Sequence, residues 1–180
     1  MSTDVRHRYL DVTETAKLIR SALRADFQGC KFSVRCDRYA DGSSVHVSWT
    51  DGPTERDVSS LVKPYEGSDF DGSIDMATDL SVYLRDGRVV GYATQGTERS
   101  MGTIPAHDDA VVDAELVRPL CSHVSCSRRI SPTVDAAAAA FIEQRMSVPE
   151  GDRPHWAWRL LSQWDSRHDT LDDAFERMAR

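Results

Sequence analysis

The stretch from Cys30 to Thr54, CKFSVRCDRYADGSSVHVSWTDGPT, leaves little freedom in what this chain can fold into. Phe32, Val34 and Cys36 alternate with Lys31, Ser33, Arg35 and Asp37. Further on, Val45, Val47 and Trp49 alternate with Ser44, His46, Ser48 and Thr50. Successive side chains of a strand point to opposite faces, so this pattern predicts two strands with one buried and one wet side. Between them Asp41-Gly42 supplies residues that tolerate positive φ, within a connection from Tyr39 to Ser43 that is longer than a two-residue loop. The pairing is therefore expected to be antiparallel.

Helices are expected on both sides of this hairpin. Asp11 can cap a helix through Phe27 with Glu14 three residues on, and Val12, Ala16, Ile19, Leu23 and Phe27 recur at helical spacing before Gly29 ends it. Its opposite face carries the basic stripe Lys17, Arg20 and Arg24. Thr54 with Asp57 caps a second helix through Val58, Leu61 and Val62, which Pro64 stops. A second hairpin is predicted from Leu80 to Thr94 around Asp86-Gly87, and the Gly- and Pro-punctuated Gln95 to Asp109 reads as a mobile connection. One further strand fits within Leu116 to Cys126, with Pro119 pointing to an edge or a bulge. Three helices follow: from Ser131-Pro132 to Met146, from Pro154 to Trp164 with an inward stripe of Trp156, Leu160 and Trp164, and from Thr170 to Ala179.

A chain of 180 residues is long enough for one domain with a real core. Residues 1–132 are read as an α+β domain: a small antiparallel sheet of four to five strands, built from hairpins and covered by helices. Residues 133–180 are read as a helical C-terminal extension packed on it. No N-terminal apolar run of signal-peptide length is present, and no stretch approaches about 20 apolar residues. The expectation is a reduced, cytoplasmic protein with no membrane partner, whose Cys30, Cys36, Cys121 and Cys126 are free thiols.

The net charge of −7 is concentrated in the middle of the chain. Residues 1–50 carry 8 basic and 6 acidic side chains, residues 51–115 carry 5 and 14, and residues 116–180 carry 9 of each. Such a middle repels a nucleic-acid backbone and suits a basic protein surface or a cation, unless it is simply a solvated acidic loop.

The segments YLDVTETAKLIRSAL, FSVRCDRYADGSSVHVSWTDGPT, VKPYEGSDFDGSID and GTERSMGT together resemble one of the large polyvalent protein associated domains, over roughly Tyr9 to Pro132, with VSWTDGP a specific signal. The resemblance implies a protein of phages or conjugative elements acting inside a bacterial cell, with a role against host defences. It carries no catalytic residues over to this chain and does not extend to the tryptophan-bearing tail.

Candidate chemistry is sparse. Cys121, His123 and Cys126 could hold zinc with a fourth ligand from His107, Cys30 or Cys36, but the spacing is not that of a zinc knuckle or ribbon, and free cysteines are commonly buried as small apolar groups. Asp69, Asp71 and Asp75 could bind magnesium or calcium as a nuclease requires, or serve only as turn residues. No Gly-x-Ser-x-Gly elbow, phosphate-cradling Gly-rich loop or His-Glu-x-x-His is present. Arg128 and Arg129 beside Cys126 either lower its thiol or solubilise a strand end.

The remaining candidate is the wet hairpin face, where Arg35, His46, Ser48 and Thr50 project together with the small Ser33 and Ser44. The expectation is a non-enzymatic protein with no cofactor that binds a host bacterial protein through this face and through Glu66, Asp69, Asp71 and Asp75. The alternative is a nucleic-acid or nucleotide-binding module that uses Lys17, Arg20 and Arg24 with Arg35 and His46.

Overall fold

The computed structural model describes residues 8–40, 42–72, 75–94, 111 and 113–180. After a short strand β1 (Arg8–Leu10) comes helix α1 (Val12–Asp26). The Asp11 carboxylate accepts from the Thr13 and Glu14 amides at 2.6 and 2.8 Å, while the Glu14 carboxylate accepts from the Asp11 amide at 3.1 Å. This reciprocal cap fixes where the helix starts and is worth about 1 kcal/mol. The expected hairpin follows as β2 (Ser33–Tyr39) and β3 (Gly42–Thr50), antiparallel in register from Ser33 opposite Ser48 to Tyr39 opposite Gly42.

Helix α2 (Glu55–Val62) is capped by Thr54, whose hydroxyl accepts from the Asp57 amide, and Pro64 turns its end into a short 3-10 turn, Lys63–Tyr65. Strands β4 (Ser68–Asp71), β5 (Met76–Arg85) and β6 (Arg88–Thr94) come next, then β7 (Glu115–Pro119) and β8 (His123–Arg129). The extension holds α3 (Pro132–Arg145), α4 (Arg153–Gln163) and α5 (Leu171–Met178).

The class is α+β with C-terminal helices, as expected. The strands, however, form two mixed sheets rather than one antiparallel sheet. In the five-stranded sheet, β5 pairs antiparallel with β4, β6 and β7, and β7 pairs parallel with β1. In the three-stranded sheet the order is β2-β3-β8, with β8 parallel to β3. The single strand expected within Leu116 to Cys126 is thus two strands, one in each sheet. The Gln95 to Asp109 connection lies outside the described residues.

One hydrophobic core joins both sheets to the first two helices. It takes Ala16, Ile19 and Leu23 from α1, Val58 and Val62 from α2, Val45, Val47 and Trp49 from β3, Val82 from β5, Val117 from β7 and Val124 from β8. Gly67 stitches the sheets together: its amide donates to Cys121 O and its carbonyl accepts from Leu80 N, each at 2.8 Å. A Cβ there would stand 1.7 Å from the Pro119 carbonyl oxygen, so only glycine fits. A second core lies among α3, α4 and α5, built on Ile142, Ala157, Leu160, Leu161, Ala174 and Met178, with Trp156 and Trp164 packed against it.

Arg128 ties the extension to the sheet. On β8 it follows Val124 and Cys126 along the buried side, opposite Trp49. Its guanidinium donates to four backbone carbonyls: Asp51 at 3.1 Å, Gly52 at 3.0 Å, Leu161 at 2.9 Å and Trp164 at 2.8 Å. A second tie runs through Arg167, which lies 4.6 Å over the Phe27 ring and pairs with the buried Asp165. Burial alone would raise the Asp165 carboxyl, but the hydrogen bonds and charge of Arg167 outweigh it and hold the group below the usual carboxylate range.

Two stability tests follow from these ties. Arg128→Ala takes a donor from four carbonyls, of which Gly52 O and Leu161 O keep a backbone amide partner at 3.3 Å, and should lower the unfolding free energy in urea by about 3 kcal/mol. The depressed Asp165 pKa contributes stability above the unfolded carboxylate value of about 3.9 and loses it as pH falls through the folded value. The stability gap between wild type and Asp165→Asn should therefore be full at neutral pH and close below about pH 4, which thermal melts across pH measure.

Candidate functional site

The three-stranded sheet buries one face and leaves the other open. Val45 and Val47 are fully buried and Trp49 is 4% exposed, so the alternate residues of β3 must face outward. Pairing sets these outward residues in rows across the strands. Ser33 is opposite Ser48, which is opposite Ser127; Arg35 is opposite His46, which is opposite Ser125; and Thr50 is opposite Arg129. This face floors an open cleft of about 1110 Å³. The segment Gln28 to Phe32, the turn Asp51-Gly52 and the extension residues Ser166 and Arg167 also line it.

The turn is locked from behind. The Gly52 amide donates to Ser166 Oγ at 2.8 Å, and Trp49 Nε1 donates to Pro53 O at 3.0 Å. The Asp51 carboxylate accepts from the Ser131 amide at 2.9 Å, which occupies the acid nearest the cleft. Asp51 holds φ at 54°, a left-handed backbone that suits its short polar side chain.

The lining is basic. Lys31, Arg35 and Arg129 are exposed, and among the described residues their side chains make no hydrogen bond or ion pair. Arg167 is already paired with Asp165. His46 Nδ1 lies 2.8 Å from Ser125 Oγ, leaving Nε2 without a partner among the described residues. Three unpaired cations, a hydroxyl row and one imidazole can bind an anion or a hydrogen-bond-rich surface.

Of the residues singled out in the sequence, Arg35, His46, Ser48 and Thr50 share this lining with Ser33. Ser44 lies on the same strand face but outside the lining. The acids do not join them. Glu66 is engaged within the fold: its carboxylate accepts from the Val124 amide at 2.6 Å and from Lys63 at 2.7 Å, and lies 3.2 Å from His123 Nδ1. Asp69 and Asp71 stand on β4, in the other sheet, and Asp75, with φ of 51°, lies in the turn just before β5.

The basic helix stripe is also apart from the lining. Arg20 donates to Val34 O at 2.6 Å, which docks α1 on β2, while Lys17 and Arg24 are exposed. Lys31, Ser127, Arg129 and Arg167 line the cleft without having been singled out for it. Lys31 belongs to the outward set of the first strand's alternation, Ser127 and Arg129 join through the pairing of β8 with β3, and Arg167 arrives with the extension, so the last three have no local signal.

Among the described residues no group of three ligating side chains could hold a metal ion. Cys121 is buried and its thiol donates to His123 O at 3.2 Å; His107 lies outside the described residues. Burial pushes the thiols of Cys30, Cys121 and Cys126 up, so Arg128 does not activate Cys126, and its guanidinium is given to carbonyls instead. Only Cys36 among the four is exposed. Brief iodoacetamide treatment of the native protein at neutral pH should therefore add one carbamidomethyl group, at Cys36, read by peptide mass spectrometry.

Residues 10–131 match the family model described as large polyvalent protein associated domain 29, well over half of the chain. No curated protein and no solved structure matches the chain. Among the described residues no helix is long and apolar enough to cross a membrane. The match spans both sheets, the cleft floor and the two helices behind it, so the chain belongs to the large polyvalent protein associated domain 29 family and is a protein associated with phages and mobile elements.

Proposed function

We propose that this protein is a non-enzymatic binding protein that engages a component of the bacterial host through the cleft on the three-stranded sheet, in counter-defence or host takeover within the cytoplasm. The family supplies the setting. The observation that carries the reading is the convergence of Lys31, Arg35, His46 and Arg129, around a row of serines, on one concave face whose cations have no partner within the described chain. Charged side chains left unpaired around a concavity are available to a ligand without first breaking an internal bond.

In this reading residues 1–132 form the domain that carries the cleft, and residues 133–180 form a helical extension that braces its rim through Ser166 and Arg167. The division into two hydrophobic cores supports that boundary. Asp69, Asp71 and Asp75 are not among the residues that line the cleft.

The test is capture from a lysate of the natural host, comparing wild type with Ser48→Trp, which fills the floor, and with Asp69→Lys/Asp75→Lys. A host component retained by wild type and by the acidic-hairpin variant but lost with Ser48→Trp is the expected result. Capture that survives Ser48→Trp and disappears on charge reversal would move the binding surface to the β4–β5 hairpin and overturn the assignment. Wild-type protein that retains nothing overturns the binding role itself.

A further inference from the structure

The chain as a whole is acidic, with a net charge of −7, yet the one cleft described above is lined by cations. Lys31 and Arg35 each stand two residues from Ser33 along the chain, Arg35 about 7 Å away at strand rise and Lys31 in the segment that leads into β2. Arg129 belongs to the row next to Ser127, across the sheet. Long side chains at those three positions can all reach a group seated over Ser33, Ser48 and Ser127. Serine has the shortest side chain that still donates an O–H, so the row offers three donors while leaving room above the floor. His46, within hydrogen-bond distance of Ser125 through Nδ1, adds a further nitrogen in the neighbouring row, two residues from Ser48 on β3. Phe32 and Trp49 bring apolar surface to the same lining, and the two rings stand 5.6 Å apart in the aromatic cluster behind it.

We propose that the cleft is a binding site for a nucleotide-sized phosphorylated small molecule, with its phosphates over the Ser33, Ser48 and Ser127 row between Lys31, Arg35 and Arg129. This rests on the reading that the cleft is where the protein binds, and it names the chemistry of the occupant. Phosphate suits three flexible donors and two guanidinium forks better than a neutral ligand does, because charge-assisted bonds are about twice as strong as neutral ones. The cleft, at about 1110 Å³, lies near the upper end of small-molecule sites and leaves space beside the phosphates for a sugar and base.

A compact anion is favoured over a nucleic-acid strand by the charge distribution. Screening confines the pull of the cleft to about 8 Å, so a strand running past its ends meets the field of an acidic protein. The helix cations that would extend a track do not line the cleft, and Arg20 is bonded to Val34 O.

Isothermal titration of the full chain at physiological salt with ADP, GDP, CDP and UDP, with inorganic phosphate, and with oligothymidine tests this. At least one nucleoside diphosphate should bind at a single site, more tightly than inorganic phosphate. Affinity should fall by at least about tenfold in Arg35→Gln/Arg129→Gln, whose two side chains make no bonds among the described residues and whose melting temperature should match wild type. It should vanish in Ser48→Trp. Absence of binding by all four diphosphates, or equal binding by the double variant, overturns the proposal. Tighter binding of oligothymidine with a steep salt dependence also overturns it, in favour of a single strand. If no diphosphate binds while capture from the host lysate still depends on Ser48, only the phosphate assignment falls and the cleft remains the binding site.

Discussion

A half-buried guanidinium joins the extension to the turn behind the cleft. Arg128 reaches inward from β8 and gives its donors to carbonyls of the Asp51-Gly52 turn on one side and of α4 and its C-terminal end on the other. Among the described residues no carboxylate pairs with it directly. Burial lowers its pKa, and the more distant charges of Asp165, Asp51, Asp57 and Glu55 pull the other way. Lysine could not replace it, since a compact ammonium offers three donors from one point where the planar fork addresses carbonyls from two separate segments. The Trp164 ring, 5.9 Å from the guanidinium carbon, covers its remaining face.

That inward commitment decides what the outer face can do. Adjacent residues on β8 point in opposite directions, so Arg128 serves the fold and Arg129 is left to the cleft. The same division holds on β3, where Trp49 packs inward while Ser48 and Thr50 line the opening. The Asp51-Gly52-Pro53 turn after them has its amide, carbonyls and carboxylate all bonded within the chain. The turn is therefore the joint between strand, helix and extension, crowded with bonds rather than built around a reactive group.

The legible parts of this fold were those specified locally. Asp11 with Glu14, the alternation through Val45 to Trp49 and the Asp86-Gly87 turn each state their own structure within a few residues. β8 does not, because its inward side reads Val124, Cys126, Arg128 and only the first of these is strongly apolar. The parallel pairing of β3 with β8 and of β1 with β7 joins residues far apart in sequence, so neither has a local signature. The candidate site divides in the same way. Lys31, Arg35, His46, Ser48 and Thr50 could be grouped by alternation alone, whereas Ser127 and Arg129 join them only once β8 is in place. Arg20 looked like part of a solvated stripe because nothing in the helix says that Val34 O lies within reach.

The parallel junction of β3 and β8 also sets an order of events. Ser48 and Ser127 are neighbours on the floor, yet α2 and the strands of the five-stranded sheet up to β7 lie between them in the chain. Contacts of such long sequence separation carry a loop-closure cost before they are rewarded and are slow to form. During synthesis the hairpin emerges early, with its wet face exposed and its third strand missing, and the floor closes only after Arg129 has left the ribosome. Ligand binding would then report on completion of the fold, and a nascent or truncated chain would present β3 as an open edge to other strands.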